Sequence, residues 1–585
     1  MDILKRIGGL IKVYRKRVYL ALALQLIVIV TLLLAPYITR DIVNQVIPNR
    51  DLARLTPLAA MLMGMVLLRA VSNYSRGLTM ERVSQNVVYD LRTSLYSHLQ
   101  ELPYEFYDHN RVGEIMSRMT GDIEGIRNLI AGGIITVFDN SLRFVGGLVF
   151  MTFMSWQLTL AIMVIAPLLA VTAWQFNKRI RPVFRSVREQ NAVLNTRTQE
   201  DLAGIRVVKA FTREDHEEEL FHRDNQELLR LNLRATWIWS NFVPLMEVMS
   251  SLCTPIMIGV GGVLLFRGQM DLGTLIAVTG YISLITNPMR QLSNIINMLA
   301  QAVTSAEKLF YYADFGASIK DAPDAEEPAR FEGHVKYDHV TFSYGGRDVL
   351  TDISFEAQPG QTVAIVGATG SGKSTLVSLL GRFYDIKSGS LEVDGVDVRR
   401  QKLKPLRAHI GYVMQDTFLF SDTLADNIRF GEPDASMERV VAAARNAQAE
   451  EFIEHMPNRY EEIVGERGTG LSGGQKQRTA IARALLIKAS ILIFDDSTSA
   501  VDMETEYEIQ QALRRLPGKR TTFIIAHRIS SVKNADQILV LEDGRIAERG
   551  THAELLKQHG IYYGMVRDQY KDFEKLAAGG ETANG

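Results

Sequence analysis

The chain has 585 residues, a formal net charge of −1 and a single cysteine, Cys253. This length is too great for one hydrophobic core and predicts two or three domains. The near-zero charge gives no field that favours nucleic acid, so we expect no nucleic-acid partner, and one cysteine excludes an intramolecular disulfide. Long apolar runs fill the chain before about residue 305, and a soluble α/β pattern follows.

Six apolar stretches in the first half are each about 20 residues or longer, enough to cross a hydrocarbon core of about 30 Å. A buried globular helix could explain any one of them, but six in one half of a chain indicate an integral membrane protein in contact with the lipid bilayer. The first run is too long for the h-region of a cleavable signal peptide. The predicted spans are residues 18–37, 55–74, 130–154, 158–176, 242–266 and 272–299.

Lysine and arginine residues cluster before the first span, between residues 5 and 17. Such a cluster places the N-terminus in the cytoplasm. The very short turns at 155–157 and 267–271 then lie outside. The charged, helix-patterned segments 75–129 and 177–240 extend into the cytoplasm, and six spans return the chain to that side.

Two stretches in these extensions, 106–114 and 204–215, have the pattern of breaks between helices. A short transverse helix at each tip would offer a docking surface to the second half of the chain, and a solvated turn is the alternative. Within the third span, Asp139 and Arg143 are four residues apart and can pair along one helix face. Glu247 in the fifth span has no local partner, so either a structural or a cavity-lining role is open.

Residues 314–330 are rich in Ala, Asp, Glu and Pro without apolar periodicity, which predicts a linker. We therefore expect a transmembrane domain at 1–313 and a second, soluble domain of α/β type at 331–585. Residues 335–342 alternate like a strand, and Tyr344 follows it. This tyrosine could stack on a purine ring or be a partly exposed core aromatic.

Residues 361–366 predict a buried strand, and a helix opens at about residue 376. Between them lies GATGSGKST, in the order of strand, glycine loop and helix that a phosphate-binding P-loop requires. The glycines let backbone N–H groups point at an anion, and the helix adds its positive end. Lys373 would reach the β- and γ-phosphates of ATP, and the Ser374 hydroxyl would bind Mg²⁺. The other loop residues that we assign to ATP binding are Gly367, Thr369, Gly370, Ser371, Gly372 and Thr375.

Two later strands end in polar residues. Residues 491–494 form a buried-strand run that is followed by Asp495 and Asp496. A carboxylate at the end of a parallel strand beside a P-loop is the usual partner of Mg²⁺, so Asp495 takes the metal role through water. Asp496 would then orient an attacking water. A strand at 521–526 should neighbour this one and ends at His527, whose ring could hold the γ-phosphate.

Residues 471–475 read LSGGQ and resemble the signature of the ATP-binding cassette transporters. The stretches VMQD at 413–416, VGERG at 464–468 and SAVD at 499–502 resemble further loops of that family in the expected order. Six spans ahead of one cassette resemble its exporter branch. The expected fold is therefore a membrane all-α six-helix exporter domain fused to a soluble α/β P-loop NTPase cassette.

The resemblance implies two cassettes packed head to tail, so that the P-loop of one chain faces the signature of the other across ATP. The signature residues assigned to this role are Ser472, Gly473, Gly474 and Gln475. One cassette and six spans imply a half-transporter that needs a second chain. The resemblance also places Gln415 in the catalytic site and at Mg²⁺, beside Ser374 and Asp495, with His527 and Asp496 as the other catalytic residues.

Asp496 departs from the family pattern, because members that hydrolyse ATP efficiently usually carry glutamate there. The shorter side chain withdraws the carboxylate by about 1.5 Å. A general base contributes about 10²–10⁴-fold and must reach its water. We therefore expect a site that binds ATP well and hydrolyses it slowly, in a heterodimer whose other site uses the intact LSGGQ. A homodimer in which a backbone shift lets aspartate serve is the alternative.

The sequence predicts an ATP-driven exporter of hydrophobic or amphipathic compounds, drugs or lipids, in a bacterial cytoplasmic membrane. We expect a large apolar cavity with few fixed charges. A homodimeric lipid or peptide exporter and an ATP-gated channel built from the same parts stay open. Steady accumulation of substrate in inside-out vesicles would separate an exporter from a channel, since a channel cannot transport uphill.

Overall fold

A computed structural model describes residues 2–328, 330–515 and 518–569. The chain divides into two compact units. The membrane unit comprises residues up to 100 and residues 112–315, and the cassette unit comprises residues 101–111 and the described residues after 315. Ala329 of the predicted linker and residues 570–585 of the predicted nucleotide-binding domain lie outside the described residues.

All six predicted membrane spans lie within long helices, and the described residues include six helical segments apolar and long enough to cross a membrane. Three π-helical turns, Ile42–Val46, Arg118–Asp122 and Leu129–Gly133, continue some of them. The α-helices up to the linker are α1 (Asp2–Lys12), α2 (Arg15–Asp41), α3 (Leu52–Glu101), α4 (Tyr104–His109), α5 (Val112–Ser117), α6 (Ile123–Asn128), α7 (Ile134–Met154), α8 (Trp156–Met163), α9 (Ile165–Ala203), α10 (Ile205–Ala210), α11 (Glu214–Phe266) and α12 (Leu272–Asp314).

Several of these helices are much longer than a membrane is thick. Helix α3 has 50 residues, which is about 75 Å at 1.5 Å per residue, against a hydrocarbon core of about 30 Å. Helices α9 and α11 have 39 and 53 residues and pack side by side. The predicted long extensions are therefore present, and the two predicted helix breaks contain the short helices α4 and α10.

The interior of the membrane unit is an apolar cluster that includes Met151, Leu158, Met257 and Tyr281. Tyr281 is fully buried, and its hydroxyl donates to the Leu33 carbonyl oxygen at 2.6 Å. This bond satisfies the phenol where water is absent.

A polar network also crosses the membrane unit. Arg143 Nε donates to Asp139 Oδ1 at 2.7 Å, which confirms the predicted pair. The Gln25 amide donates to the same carboxylate and accepts from Arg76 Nη1 at 2.7 Å. Gln25 is 1% exposed. Side chains from α2, α3 and α7 therefore satisfy one another in a place where water is scarce.

The cassette unit contains two sheets. The larger sheet has the strand order β10-β9-β3-β8-β7-β6, in which β9, β3, β8, β7 and β6 are parallel and β10 is antiparallel. The smaller sheet is antiparallel, in the order β2-β1-β4-β5. The strands are β1 (Val335–Ser343), β2 (Asp348–Ala357), β3 (Thr362–Gly367), β4 (Ser388–Val393), β5 (Val396–Asp397), β6 (Ile410–Val413), β7 (Ile491–Asp495), β8 (Thr521–Ile525), β9 (Gln537–Glu542) and β10 (Arg545–Gly550).

Strands β3 and β7 are buried on both faces, as continuous apolar runs in a parallel sheet require. Their carboxyl ends carry the P-loop and the two aspartates, so this edge of the sheet collects the predicted site. The helices of the cassette are α13 (Lys373–Leu380), α14 (Leu403–Ala408), α15 (Leu424–Ile428), α16 (Met437–Asn446), α17 (Glu450–Glu454), α18 (Gly473–Leu486), α19 (Met503–Arg515), α20 (Ile529–Val532), α21 (His552–Gln558) and α22 (Ile561–Gln569).

The segment between α12 and β1 forms no helix among its described residues, as a linker composition predicts. It is nevertheless held by the cassette. The Glu326 N–H donates to the Arg400 carbonyl oxygen at 2.7 Å, and the Lys402 N–H donates to the Glu326 carbonyl oxygen at 3.0 Å. Asp321 accepts from the Leu403 N–H at 2.8 Å.

The polar network predicts that Gln25→Leu destabilises the membrane unit. The substitution leaves a buried carboxylate and a guanidinium without their shared amide, which costs about 1–3 kcal/mol. Thermal unfolding followed by tryptophan fluorescence, to which all four tryptophans of this unit contribute, should show a midpoint several degrees lower. The control is Gln85→Leu, which removes an exposed amide bonded to Glu81. Equal midpoints for the two variants would contradict a structural role of the network.

Candidate functional site

The P-loop follows β3 at the centre of the larger sheet. Gly367 has a φ of 152°, and a Cβ there would lie 2.3 Å from the Leu541 carbonyl oxygen. Gly372 has a φ of 98°, and a Cβ there would lie 2.7 Å from Leu350 Cδ2. Glycine is therefore required at both ends of the loop, where the backbone turns from strand to helix.

Lys373 is the first residue of α13 and is 7% exposed. Its Nζ donates to the carbonyl oxygens of Gly367 at 3.0 Å and Ala368 at 2.8 Å. Burial lowers the pKa of Lys373, while the charges of Asp495 and Asp496 raise it. The ammonium group therefore lies under the loop with its donors directed at the loop backbone.

Asp495 is the last residue of β7 and is 5% exposed. Its Oδ1 accepts a hydrogen bond from Ser374 Oγ at 3.0 Å. Burial raises the pKa of Asp495, while the hydrogen bond from Ser374 and the charge of Lys373 lower it. Two of the three predicted metal ligands are thus already in contact.

The residues present fit a bound nucleotide with its metal. The buried Ser371 hydroxyl has no hydrogen-bond partner among the residues that the structure describes, although a buried polar group normally has one. Thr369 and Gly370 are exposed beside it, and Thr375 is half-buried. A hydroxyl and a carboxylate in contact are oxygen ligands of the kind that Mg²⁺ prefers. The loop therefore offers an anion cradle with an adjacent oxygen donor pair.

Asp496 and His527 lie at the same edge of the sheet. Strand β8 pairs with β7 in parallel, as the sequence predicts, with Asp495 opposite Ile525. The Asp496 N–H donates to the Ile525 carbonyl oxygen at 2.9 Å, and Asp496 has a φ of 45°. Aspartate is among the few residues that tolerate this left-handed conformation. The His527 carbonyl oxygen accepts from the amide of Gln569, and its side chain is exposed.

Gln415 follows β6, the strand on the other side of β7. Val413 at the end of β6 pairs with Phe494. The Gln415 side chain is exposed and makes no hydrogen bond within the described part of the chain. It therefore lies beyond the same carboxyl edge and remains available to a ligand.

Tyr344 lies beside the P-loop helix. Its hydroxyl is 3.1 Å from Thr375 Oγ1, and its ring is 48% exposed. The ring makes perpendicular contacts with Phe342 and Tyr384, at centroid distances of 4.8 and 5.0 Å. The tyrosine is thus a partly exposed aromatic at the rim of the nucleotide cradle, a position compatible with stacking on a base.

The signature residues lie at the start of α18, whose N-cap is Ser472. Ser472 and Gln475 form a capping box, and the Ser472 and Gly473 residues are exposed. Across the described residues, no hydrogen bond or ion pair joins Ser472, Gly473, Gly474 or Gln475 to the P-loop. The chain therefore does not bring its own signature to its own phosphate cradle.

A buried network behind the site was not foreseen from the sequence. Glu506 is 3% exposed, accepts from Thr498 Oγ1 at 2.9 Å and accepts from the Ser531 hydroxyl. Arg528, next to His527, lies 3.6 Å from the Glu506 carboxylate and donates to the Val501 carbonyl oxygen at 3.0 Å. These bonds hold residues 498–501 against the end of β8, and no local sequence pattern marks them.

A second feature that the sequence only outlined is the contact of α4 with the cassette. The Tyr104 ring stacks on Phe383 at 4.5 Å, and the Tyr384 hydroxyl donates to Asp108 Oδ2 at 2.7 Å. Burial and the bond to Asp108 raise the pKa of Tyr384. A cavity of about 570 Å³ is lined by α4 residues, Tyr384 and Tyr344. The tip at 106–114 is therefore a docking element and not a solvated turn.

The membrane unit contains a cavity of about 810 Å³ between α9 and α12. Its lining is mixed, whereas the sequence predicted a large apolar cavity with few fixed charges. The reason is that the cations of the two helices lie beyond the apolar runs and converge here with amides at or near the ends of those runs. Its cations are Arg181, Arg185, Arg188 and Lys308, and its amides are Asn177, Asn294, Asn297 and Gln301.

Comparisons with known proteins agree with both units. The ABC transporter transmembrane region matches residues 18–289, and the ABC transporter domain matches residues 350–499. The chain is 39% identical to the uncharacterized ABC transporter ATP-binding protein YknU of Bacillus subtilis, over 98% of this chain and 99% of that protein. It is 34% identical to the ATP-dependent lipid A-core flippase of Syntrophus aciditrophicus, over 98% of this chain and 95% of that protein. A solved bacterial Atm1-family ABC exporter with ATP bound aligns with a TM-score of 0.80 and 28% identity, over 95% of this chain and 99% of that chain.

The buried position of Asp495 predicts a pH dependence of nucleotide binding. Its raised pKa keeps the carboxyl protonated up to a higher pH than an ordinary aspartate, whose pKa is about 3.9. The Mg²⁺-dependent part of ATP affinity should therefore fall on acidification while ordinary aspartates are still ionised. The affinity for a fluorescent ATP analogue is measured between pH 5 and 8, once with Mg²⁺ and once with a chelator. The difference between the two affinities is the Mg²⁺-dependent part. Asp495→Asn should remove it at every pH, and Asp434→Asn, at an exposed position before α16, should not.

The network behind the site predicts that Glu506→Ala destabilises the cassette. The substitution leaves the buried Ser531 hydroxyl and the half-buried Thr498 hydroxyl without their acceptor and removes the ion-pair partner of Arg528, at a cost of about 2–4 kcal/mol. The temperature at which the full chain loses ATP-analogue binding should fall by several degrees. Glu508→Ala, an exposed acid on the same helix, is the control. If neither variant changed the temperature midpoint for loss of ATP-analogue binding, the network would not stabilise the cassette.

Proposed function

This chain belongs to the ABC transporter family, and we propose that it forms one half of a heterodimeric exporter in which its own ATP site is the slower of two. ATP hydrolysis is coupled to transport in this enzyme, and six apolar helices make it an integral membrane protein. The observation that carries the proposal is Asp496, directly after the buried end of β7.

The residues at the carboxyl edge have separate roles. Lys373 and the loop amides bind the phosphates, and the Tyr344 ring stacks on the base. Ser374, Asp495 and Gln415 would hold Mg²⁺, which neutralises charge on the phosphates when it is bound. His527 donates to the terminal phosphate, and Asp496 accepts a hydrogen bond from the attacking water.

The short reach of Asp496 makes this last role weak. Its backbone is fixed by the bond from its N–H to Ile525, so the carboxylate cannot advance without breaking that bond. A glutamate would extend about 1.5 Å further. Loss of correct base positioning lowers hydrolysis by about 10²–10⁴-fold, whereas binding through Lys373 and the loop is unaffected. The site therefore holds ATP more than it consumes it.

A second chain would complete both sites. The N-terminus of α18 with its Ser472 cap is an anion-binding end of a 14-residue helix that is exposed and separate from its own P-loop. It would complete the partner's P-loop in trans and so build the faster site. Conversely, the partner's signature would close over Lys373 here. This arrangement supports a dimer, and the short side chain of Asp496 is what favours the heterodimer over the homodimer.

Docking helices would carry closure of the cassettes to the spans. The bond between Asp108 and Tyr384 and the stacking of Tyr104 on Phe383 attach α4 to the cassette. Lys209 on α10 marks the second tip. Closure of the two cassettes on ATP would thus move the long helices next to α4 and α10. That movement would turn the bundle from inward- to outward-facing.

The substrate that we propose is a hydrophobic or amphipathic compound, a drug or a lipid. The mixed lining of the cavity between α9 and α12 supports an amphipathic molecule. The lipid A-core flippase among the relatives also supports a lipid. We place the chain in a bacterial cytoplasmic membrane with its N-terminus and cassette in the cytoplasm, because cations precede α2. The domain limits that we propose are 1–313, 314–330 and 331–585.

Ser472→Ala and Asp496→Asn separate the two assemblies. In the heterodimer, Ser472→Ala damages the fast site and lowers steady-state ATPase strongly. Asp496→Asn touches only the slow site and changes the total rate by less than about twofold. In a homodimer each site contains both residues, so both variants lose most activity. The measurement is ATP hydrolysis by the purified complex. The partner is sought in neighbouring reading frames that encode a half-transporter with glutamate at the equivalent position and an altered signature.

The chain purified alone provides the complementary test. Its hydrolysis should be slow, and Asp496→Glu should raise it by at least tenfold because the carboxylate regains its reach. Asp434→Glu, which adds the same methylene at an exposed position before α16, is the control. Fast hydrolysis by the unaltered chain alone would falsify the heterodimer, and no gain in Asp496→Glu would rule out side-chain length as the defect.

A further inference from the structure

A second cavity of the membrane unit lies between α9 and α11 and has a volume of about 780 Å³. It is separate in lining from the cavity between α9 and α12. Three cations line it: Lys178 and Arg179 from α9 and Arg234 from α11. Trp174 and Trp237 flank them, one on each helix, and no acidic side chain lines the cavity.

The three cations of this pocket are left unneutralised. Other cations of the same two helices have carboxylate partners, such as Arg197 with Asp224 at 2.6 Å and Arg230 with Glu227. Within the described residues, no carboxylate lies within ion-pair distance of Lys178, Arg179 or Arg234. Lys178 Nζ instead lies 5.3 Å from the centre of the Trp174 ring, and the Arg179 guanidinium lies 5.2 Å from that of Phe242.

The position of the pocket along the helices matches a membrane surface. The apolar run of α9 ends at about residue 176, and that of α11 begins at about residue 242. Arg234 is eight positions from the second limit, which is about 12 Å of helix. The headgroup layer is several ångströms deep, and lysine and arginine extend toward it along their alkyl stems. Tryptophan is enriched at this level.

The walls of the pocket are amphipathic. Val183, Leu231 and Ile238 are buried along its base, while Trp174 and Trp237 are 62% and 68% exposed. A ligand must therefore place an anionic group among the cations and an apolar part against the aromatic rings. Because the pocket adjoins two apolar spans, an acyl chain can follow their surface, which a soluble anion cannot do.

We propose that the pocket between α9 and α11 binds the phosphate headgroup of an anionic glycerophospholipid of the surrounding bilayer. The inference rests on the proposed topology, in which these helix ends reach the cytoplasmic leaflet. Each cation near an anionic surface raises binding affinity about fivefold. Three convergent cations therefore account for selection of an anionic lipid over a zwitterionic one. The bound lipid fixes the α9–α11 pair at the membrane surface, at the start of the extension that carries α10.

Tryptophan quenching tests the assignment on the full chain. Trp156→Phe with Trp239→Phe leaves Trp174 and Trp237 as the two remaining tryptophans. This protein is reconstituted in two sets of phosphatidylcholine vesicles. One set contains a small fraction of brominated phosphatidylglycerol and the other a small fraction of brominated phosphatidylcholine, with the bromine near the headgroup in both. We expect brominated phosphatidylglycerol to quench at a concentration at least tenfold lower than brominated phosphatidylcholine. Equal quenching by the two lipids would overturn the proposal. A second protein chain that covered the pocket would give this result, because neither lipid could then enter.

Charge variants identify the residues responsible. Lys178→Gln with Arg234→Gln should abolish the preference for phosphatidylglycerol. Lys178→Arg with Arg234→Lys keeps the charges and should retain it, which controls for misfolding. Arg213→Gln with Arg223→Gln removes the same charge near the start of α11 and should also retain it. Selectivity that survives loss of Lys178 and Arg234 would overturn the assignment.

Two further measurements distinguish a bound lipid from a soluble anion and lipid binding from transport. Glycerophosphoglycerol, the soluble headgroup, should not displace the brominated lipid at millimolar concentration, and displacement would refute an intact lipid as the ligand. ATPase activity is measured on the same vesicles. ATP hydrolysis without lipid selectivity rejects the pocket and leaves the proposed export function intact. Lipid selectivity supports the pocket whatever the ATPase rate, whereas fast ATP hydrolysis by this chain alone counts against the proposed heterodimer.

Discussion

The carboxyl edge of the parallel sheet is the constraint on which the cassette depends. Strands β3, β8, β7 and β6 end there side by side, so residues far apart in the chain meet at one anion cradle. The bond between Ser374 and Asp495 spans 121 positions and follows from the register of β3, β8 and β7. Lys373 and Asp495 are both buried beside it with opposite pKa shifts. Each charge therefore depends on the other for compensation.

The network behind this edge explains how a site of short loops stays ordered. Glu506 and Arg528 tie residues 498–501 to the end of β8, and the Gln477 amide bonds Ser499 and Ala500 from α18. The segment after Asp496 is thus held from the strand side and from the signature helix together. A shift of α18 would be transmitted to the aspartate through its own chain.

Local patterns predicted most of the site, because a P-loop and a strand-end acid are each encoded within about twenty residues. Six spans were evident for the same reason, since apolar length is a local property. The contacts of Gln25 with Arg76, Glu506 with Arg528 and Tyr384 with Asp108 were not predictable. Tyr384 and Asp108 are 276 positions apart. The sequence around a lone polar residue in a helix does not indicate which distant residue it contacts. The mixed character of the cavity beside α12 was missed because cations beyond an apolar run resemble a solvated face.

The backbone at Asp496 is held in one conformation, so the length of the side chain decides how far the carboxylate reaches. A left-handed φ of 45° and the N–H bond to Ile525 fix where the side chain begins. Aspartate accepts this conformation more readily than glutamate does, so it favours the turn while it shortens the reach. In the heterodimer that we propose, this chain retains ATP, so it gains a stable turn and loses little, because binding would be carried by Lys373 and the loop. The partner would accept the less favourable turn, since a longer carboxylate would reach the water. On that proposal, the two demands on one position are met by two unlike chains.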